Sequence, residues 1–386
     1  MKVRNLFGHS EFSYNNPEGV IIMGNLVIGV GNTGTNIVKL AAMSTLLDDT
    51  NYYAIDSVAS SIDMGSIGKI KYIPIISDEK TGSGRDRERG RAMYEFHQNN
   101  GEFEEMYEEA AEAKSPVIVI TSAAGGTGSG SVVPLCSKLI EKGISVIPII
   151  ICPNKKDPAA FHLNTSDLFI ELDEIGITTY AVFENKKGDA NYGPINQEVV
   201  TMIELLFGKK FDKTDLDSID DSDLDKLIEM PGRIMAVEAE GATVDSLRKE
   251  ITRKLFVGSQ PMWKSEEVGE ATLMTAFSLK SMFADVDFKS VFSEIDARID
   301  PDQVFDNYRN IVKNDNDGIL TASVIITGLP RSEIKEILND YQGTKGIGDG
   351  VKRAKRPSFM SHKKATIETV TAEDGKDLIN RFKWKK

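Results

Sequence analysis

Two glycine-rich turns stand out among the residues whose types and spacing could do chemistry. The first is Gly29-Val30-Gly31-Asn32-Thr33-Gly34, set between an apolar run and a segment of helical spacing. Glycine lets a backbone come close to an anion, and the free N–H groups of a helix N-terminus supply donors. The GxGxxG spacing, with Asp56 closing the next apolar segment, suits a dinucleotide site. It suits a ligand-free turn between strand and helix equally well. The second turn is Ala124-Gly125-Gly126-Thr127-Gly128-Ser129-Gly130, directly after the apolar run PVIVI at 116–120. It offers a row of N–H groups and two hydroxyls to an anion at another helix start. No GxxxxGK[ST] occurs, so neither turn is a P-loop. A second phosphate-cradling turn is foreign to the dinucleotide motif. The hydride-transfer site that an NAD-dependent oxidoreductase requires has no His or Lys constellation to build it, which leaves that activity a remote alternative.

Residues 212–225, DKTDLDSIDDSDLD, carry seven aspartates. A solvated acidic turn is the plain reading. Asp221, Asp223 and Asp225 have the 1-3-5 spacing of a calcium loop. Lys226 then stands where that loop needs Gly, and Gly232 where it needs a bidentate Glu, which excludes calcium. Cys136 and Cys152 lie in apolar segments without metal-ligand spacing, and four histidines are scattered. No protein metal site is expected, and the thiols read as core residues in a reducing compartment.

These turns need elements to position them. Apolar runs at 21–30, 51–55, 72–76, 116–120, 144–151 and 179–183 read as strands. Helical spacing marks 36–47, 85–113, 131–141, 163–174 and 197–207. Alternation of this kind gives a doubly wound parallel α/β sheet. From about residue 233 helix-like stretches and a strand at 322–327 suggest a smaller α+β domain. Hydrophobic residues make up 40% and charged residues 27%, the balance of a globular protein. No stretch is long and apolar enough to span a membrane, and the N-terminal segment lacks the apolar core of a signal peptide, so the chain reads as cytoplasmic. Net charge is −13, yet residues 345–386 carry 12 Lys and Arg against 5 Asp and Glu. An acidic body with a basic tail points to a tail partner and speaks against the body wrapping nucleic acid.

The segment 124–130 resembles the signature loop shared by tubulin and FtsZ, and other motifs follow in that superfamily's order. Gly31-Asn32-Thr33-Gly34-Thr35-Asn36 resembles its first phosphate loop. Asp56-Ser57-Val58-Ala59 stands where FtsZ has an Asn-Thr-Asp-Ala-like loop, with Asp56 in place of Asn. Gly82-Ser83-Gly84-Arg85-Asp86 resembles the loop that senses the terminal phosphate. Phe183-Glu184-Asn185 resembles the strand end that offers Asn to guanine. Asn196 and Gln197 open a segment similar to the central helix that contacts the base, and Tyr192 is positioned to stack on the purine. Residues 218–223 resemble the NxDxxD loop that enters the next subunit's pocket, with Ser218 in place of Asn. Asp220 and Asp223 match its two carboxylates, which would orient the attacking water.

The resemblance runs from about residue 21 to 330 and is strongest to the TubZ branch, which serves plasmid and phage segregation. It implies a GTP-binding domain at 21–208 ending in the central helix and preceded by an arm at 1–20. An acidic catalytic loop and helix at 209–232 follow, then an α+β domain at 233–342 and a basic tail at 343–386. It implies GTP or GDP with Mg²⁺, hydrolysis activated by polymerisation, and a head-to-tail homopolymer of dynamic filaments. It also implies a DNA-binding helix-turn-helix adaptor of the TubR type, reached through the tail, so that DNA is contacted only indirectly. A filament that positions phage or host structures without such an adaptor is the alternative. Deleting residues 352–386 is expected to leave nucleotide binding and assembly intact and to abolish recruitment to an adaptor–DNA complex. Salt-dependent co-sedimentation with that complex checks this, and undiminished binding by the truncated chain would move the partner contact to the body.

Overall fold

A computed structural model describes residues 24–58, 68–76, 82–114, 116–154, 156–184, 192–211, 221–260, 273–281, 287–299, 301–313 and 318–330. All belong to the first of two compact units, Met1–Thr344. The second, Lys345–Lys386, lies outside the described residues, as do the arm at 1–20 and the basic tail.

The first half alternates strand and helix. β1 (Asn25–Val30) leads into α1 (Gly31–Ala41), then β2 (Thr50–Asp56) and β3 (Ile70–Pro74). α2 (Arg87–Asn99) and α3 (Glu104–Glu112) precede β4 (Val117–Ser122), α4 (Thr127–Glu141), β5 (Val146–Cys152), α5 (Ala159–Glu174) and β6 (Thr179–Glu184). α6 (Gly193–Leu206) and α7 (Asp221–Glu229) follow. The second half comprises β7 (Gly232–Gly241), α8 (Val244–Val257), β8 (Leu273–Ser281), α9 (Phe288–Asp296), β9 (Val304–Lys313) and β10 (Leu320–Leu329). The ten strands of the described residues form one sheet in the order β3-β2-β1-β4-β5-β6-β7-β10-β8-β9. β1 to β6 are parallel, and β7 joins β6 in parallel through Thr179 opposite Gly232. β10 runs antiparallel to both β7 and β8.

Strand β1 is buried along its whole length, as a strand covered on both faces must be. Leu26, Ile28 and Val30 join a core with α2, α3, α4 and α5 on one face. Val27 joins α1, α6 and α7 on the other. That second core continues through Ile234, Ala236, Ala276 and Ile325, so the face is apolar across both halves. A third core, centred on Phe277, Phe292 and Ile251, backs the second half with α8 and α9.

The helix expected over 85–113 is two helices. The chain turns at Asn100 and at Gly101, whose φ is 78°. The turn lets Phe103 stack on Tyr94 at 4.6 Å beneath both helices. The helices expected from 36 and 131 start earlier, at Gly31 and Thr127, so their first turns are built from the glycine-rich segments. Strand β7 lies where helix-like stretches were expected to open the second domain.

Helices α2 and α5 are tied by charge. Arg87, buried on α2, gives Nη1 to Glu171 Oε1 at 2.8 Å and Nη2 to Oε2, and Arg91 adds a second guanidinium. Burial pushes the Glu171 carboxyl up, but the Arg87 bonds and charge, followed by Arg91, outweigh it and hold the carboxyl below the ordinary glutamate range. The stabilisation is therefore complete above the unfolded-state value of about 4.3 and is lost as pH falls through the depressed folded value. Glu171→Gln should cost about 3 kcal/mol at neutral pH, because it strands a buried guanidinium. Urea unfolding at pH 7 and again below pH 4 measures it; the difference from the unaltered chain should shrink in acid.

Candidate functional site

The strand order turns back between β1 and β4: from β1 the chain moves to β2 and β3, and from β4 to β5 and β6. In a parallel sheet such a switch point opens a crevice outside the carboxyl ends of the strands. Both glycine turns stand there, since α1 starts at the end of β1 and α4 after the end of β4. Two helix N-termini thus lie side by side, and neither has a side-chain cap. The free N–H groups that helix N-termini carry, together with two helix dipoles, suit such a crevice to an anion with more than one charged group.

The two turns touch through their backbones. Gly31 has φ 72°, and a Cβ on it would lie 2.9 Å from the Gly128 nitrogen. A Cβ on Gly128 would lie 2.5 Å from Thr121 Oγ1 and 3.1 Å from the Val30 carbonyl oxygen. On Gly126 it would lie 2.6 Å from the Asp86 nitrogen and 2.7 Å from the Arg85 carbonyl carbon. These glycines were expected to make room for phosphates. The atoms they admit are those of the neighbouring protein segments. Gly125 differs, with nothing within 4 Å of its missing Cβ. The open part of the turn is Ala124 and Gly125, both half-buried, and Ser129 Oγ donates to the Gly125 carbonyl.

Hydroxyls join three segments beneath the turn. Thr127 Oγ1 lies 2.6 Å from Ser57 Oγ and donates to Ser83 Oγ at 3.1 Å. Gly82 N–H reaches the Ser57 carbonyl. Asp86 caps α2 by accepting from the Arg89 N–H at 3.1 Å. Arg85, at the rim, has φ 68°, the one non-glycine residue with positive φ among the described residues. Its guanidinium lies 4.8 Å from the Phe161 ring centre. Asn32 and Asn36 are exposed on α1 and linked at 3.4 Å, with Thr33 half-buried beside them. Asp56 is only 2% exposed, and its Oδ1 accepts the Ser57 N–H at 2.7 Å. A buried carboxylate so engaged is poorly suited to the ribose role that a dinucleotide site would ask of it.

The acidic helix occupies the other pole of the sheet. β7 starts beside the start of β6, and α7 ends three residues before it. Leu224, Asp225, Ile228 and Glu229 of α7 line a cavity of about 360 Å³ with Asn25, Pro116 and Ser145, which stand at the amino ends of β1, β4 and β5. The glycine turns stand at the carboxyl ends of two of these strands, β1 and β4. Asp223 lies in the first turn of α7, 3.4 Å from Lys226 Nζ. It also faces Tyr308 of β9, whose phenol is pushed up by burial first, and then by the carboxylates of Asp306 and Asp223. Asp220 lies outside the described residues.

No family model and no curated protein matches the sequence. Solved structures do match the fold. The GTPγS-form protofilament of TubZ from Bacillus thuringiensis serovar israelensis aligns with a TM-score of 0.64 at 16% identity, over 85% of this chain and 92% of that one. A GDP-bound CetZ1 monomer from Haloferax volcanii gives 0.64 at 18%, over 84% and 100%. An FtsZ dimer from M. jannaschii gives 0.61 at 16%, over 79% and 88%. The chain has the tubulin/FtsZ fold.

Within this tubulin/FtsZ fold, helix α6 packs on α1 through Ile195, Val199 and their neighbours. Tyr192, at the start of α6, is 43% exposed. Asn196, in its first turn, has a buried Oδ1 with no hydrogen-bond partner. Asn185 lies outside the described residues. The structure places the glycine turns, Asp56 and 82–86 beside one another. Sequence reasoning missed Ser57, Ser83 and Asn164 as the links between them; only the hydroxyl-rich spacing around 57 and 83 hinted at this.

Gly126→Ala should lower stability by about 2 kcal/mol, because the methyl meets the Arg85–Asp86 peptide and the Ser83 hydroxyl. Gly125→Ala should stay within about 0.5 kcal/mol of the unaltered chain. Urea unfolding of both checks this; equal losses would contradict the assignment of open and packed glycines.

Proposed function

We propose that this chain is a polymerising GTPase that binds GTP or GDP in the switch-point crevice and hydrolyses GTP between subunits of a head-to-tail filament. The observation that carries the reading is the separation of two half-sites. Anion-binding turns stand at the carboxyl pole of the parallel sheet, and an aspartate-rich helix stands at the amino pole. One subunit cannot join them; two stacked subunits can. Among the fold relatives are protofilaments in GTPγS and GDP forms and a GTPγS-bound CetZ2 protofilament.

The N-termini of α1 and α4 bind the phosphates with backbone N–H groups, helped by Gly125 and the Thr33 hydroxyl, while the buried hydroxyls of Thr127 and Ser129 hold the turn in shape. Asn196 accepts from the guanine edge, Asn185 donates or accepts beside it, and Tyr192 covers one face of the ring. Mg²⁺ entering with the nucleotide would supply neutralisation of the phosphate charge. The donors here suit that arrangement, being neutral groups that leave the phosphate oxygens available to the ion. Asp220 and Asp223 of the adjoining subunit orient the attacking water, and hydrolysis is thereby tied to assembly. Asp223 must then give up its contacts with Tyr308 and with Lys226, the latter a partly exposed pairing of small worth.

The filament's service to plasmid or phage DNA segregation, through an adaptor of TubR type, draws on the charge asymmetry between body and tail. GTP should drive filament formation seen by light scattering and electron microscopy. Asp220→Ala and Asp223→Ala should still polymerise but release phosphate at least about tenfold more slowly, giving static filaments. Phosphate release at the unaltered rate from both variants would remove the acidic helix from the reaction.

A further inference from the structure

One face of α5 grips the segment before α2 and the second glycine turn together. Phe161, Asn164 and Glu171 are spaced by three and seven residues, which sets them on the same side of the helix. Phe161 lies under the Arg85 guanidinium, and Glu171 holds Arg87 and Arg91. Asn164 sits between them. Its Nδ2 donates to the Arg85 carbonyl at 3.2 Å and to the Ala124 carbonyl at 3.0 Å. Both partners only accept, so the amide must present its NH₂ to them.

We infer that Asn164 is a positioning residue that sets how strongly the crevice responds to the number of phosphates on its nucleotide; the inference rests on the guanine-nucleotide reading above. A trans peptide sets its carbonyl and the following N–H on opposite edges. Holding the Ala124 carbonyl on Asn164 therefore turns the Gly125 N–H away from α5, at the glycine with open space beside it. Holding the Arg85 carbonyl keeps a cationic residue at the rim in a backbone conformation that costs energy for any non-glycine side chain. Both held groups, an N–H donor and a guanidinium, recognise negative charge. Neither recognises the base. Preorganised donors of this kind act in proportion to the charge they meet.

The test is titration of the full chain with guanosine, GDP and a slowly hydrolysed GTP analogue, beside thermal unfolding. Asn164→Ala should weaken the triphosphate about tenfold, the diphosphate less, and guanosine by less than about twofold. Asn164→Asp keeps the shape of the side chain but loses its donors when ionised, and it should weaken the triphosphate further. A purely structural role would lower all three affinities alike together with the unfolding temperature. That pattern, or unchanged ratios in either variant, overturns the inference while leaving the guanine-nucleotide reading standing. If the unaltered chain binds no guanine nucleotide, that reading and this inference both fall.

Discussion

The contact between the two glycine turns governs the architecture around it. At the switch point β1 and β4 are neighbours, and the helices that leave them must start within a few ångströms of each other. A side chain at 31 would collide with the Gly128 amide, and one at 128 with Thr121 and the end of β1. Because both turns give up their side chains, two helix N-termini converge on one crevice. The segment 82–86 then closes over Gly126 on the far side and is fastened by Ser57, Ser83, Thr127 and Asn164. Five stretches distant in sequence are thereby fixed around the open space beside Gly125.

Parallel pairing supplies the second constraint. It sends the carboxyl ends of β1 to β6 to one pole and their amino ends to the other. The chain returns through α6 and α7 before entering β7 beside the start of β6. In the function proposed above, the crevice and the acidic helix, at opposite ends of the sheet, cannot serve one reaction within a single subunit. Stacking along one axis is the simplest arrangement in which they can. The apolar face shared by α1, α6, α7 and the strands of both halves gives that axis a continuous core.

Much of the parallel half was legible because its demands are local. A strand buried on both faces must be an apolar run, and a turn that admits another backbone must be glycine. What the sequence did not disclose was which atoms each glycine admits: Gly126 and Gly128 accommodate protein, whereas Gly125 borders the open crevice. Contacts across long separations were equally hidden. Asn164 meets Arg85 across 79 positions and Ala124 across 40, and no spacing rule connects them. β7 was obscured by Arg233, Glu238 and Glu240, which break its apolar pattern, although Arg233 is fully buried. The break between α2 and α3 depends on Phe103 stacking on Tyr94, an aromatic contact that helical spacing across the segment conceals.

The central claim is that the reaction centre is divided between subunits. Phosphate release per subunit, measured against protein concentration at saturating GTP and Mg²⁺, addresses it most directly. A divided site predicts almost no turnover below a threshold concentration and a cooperative rise above it, coincident with the appearance of filaments. Turnover per subunit that stays constant down to concentrations where only monomer exists would contradict it.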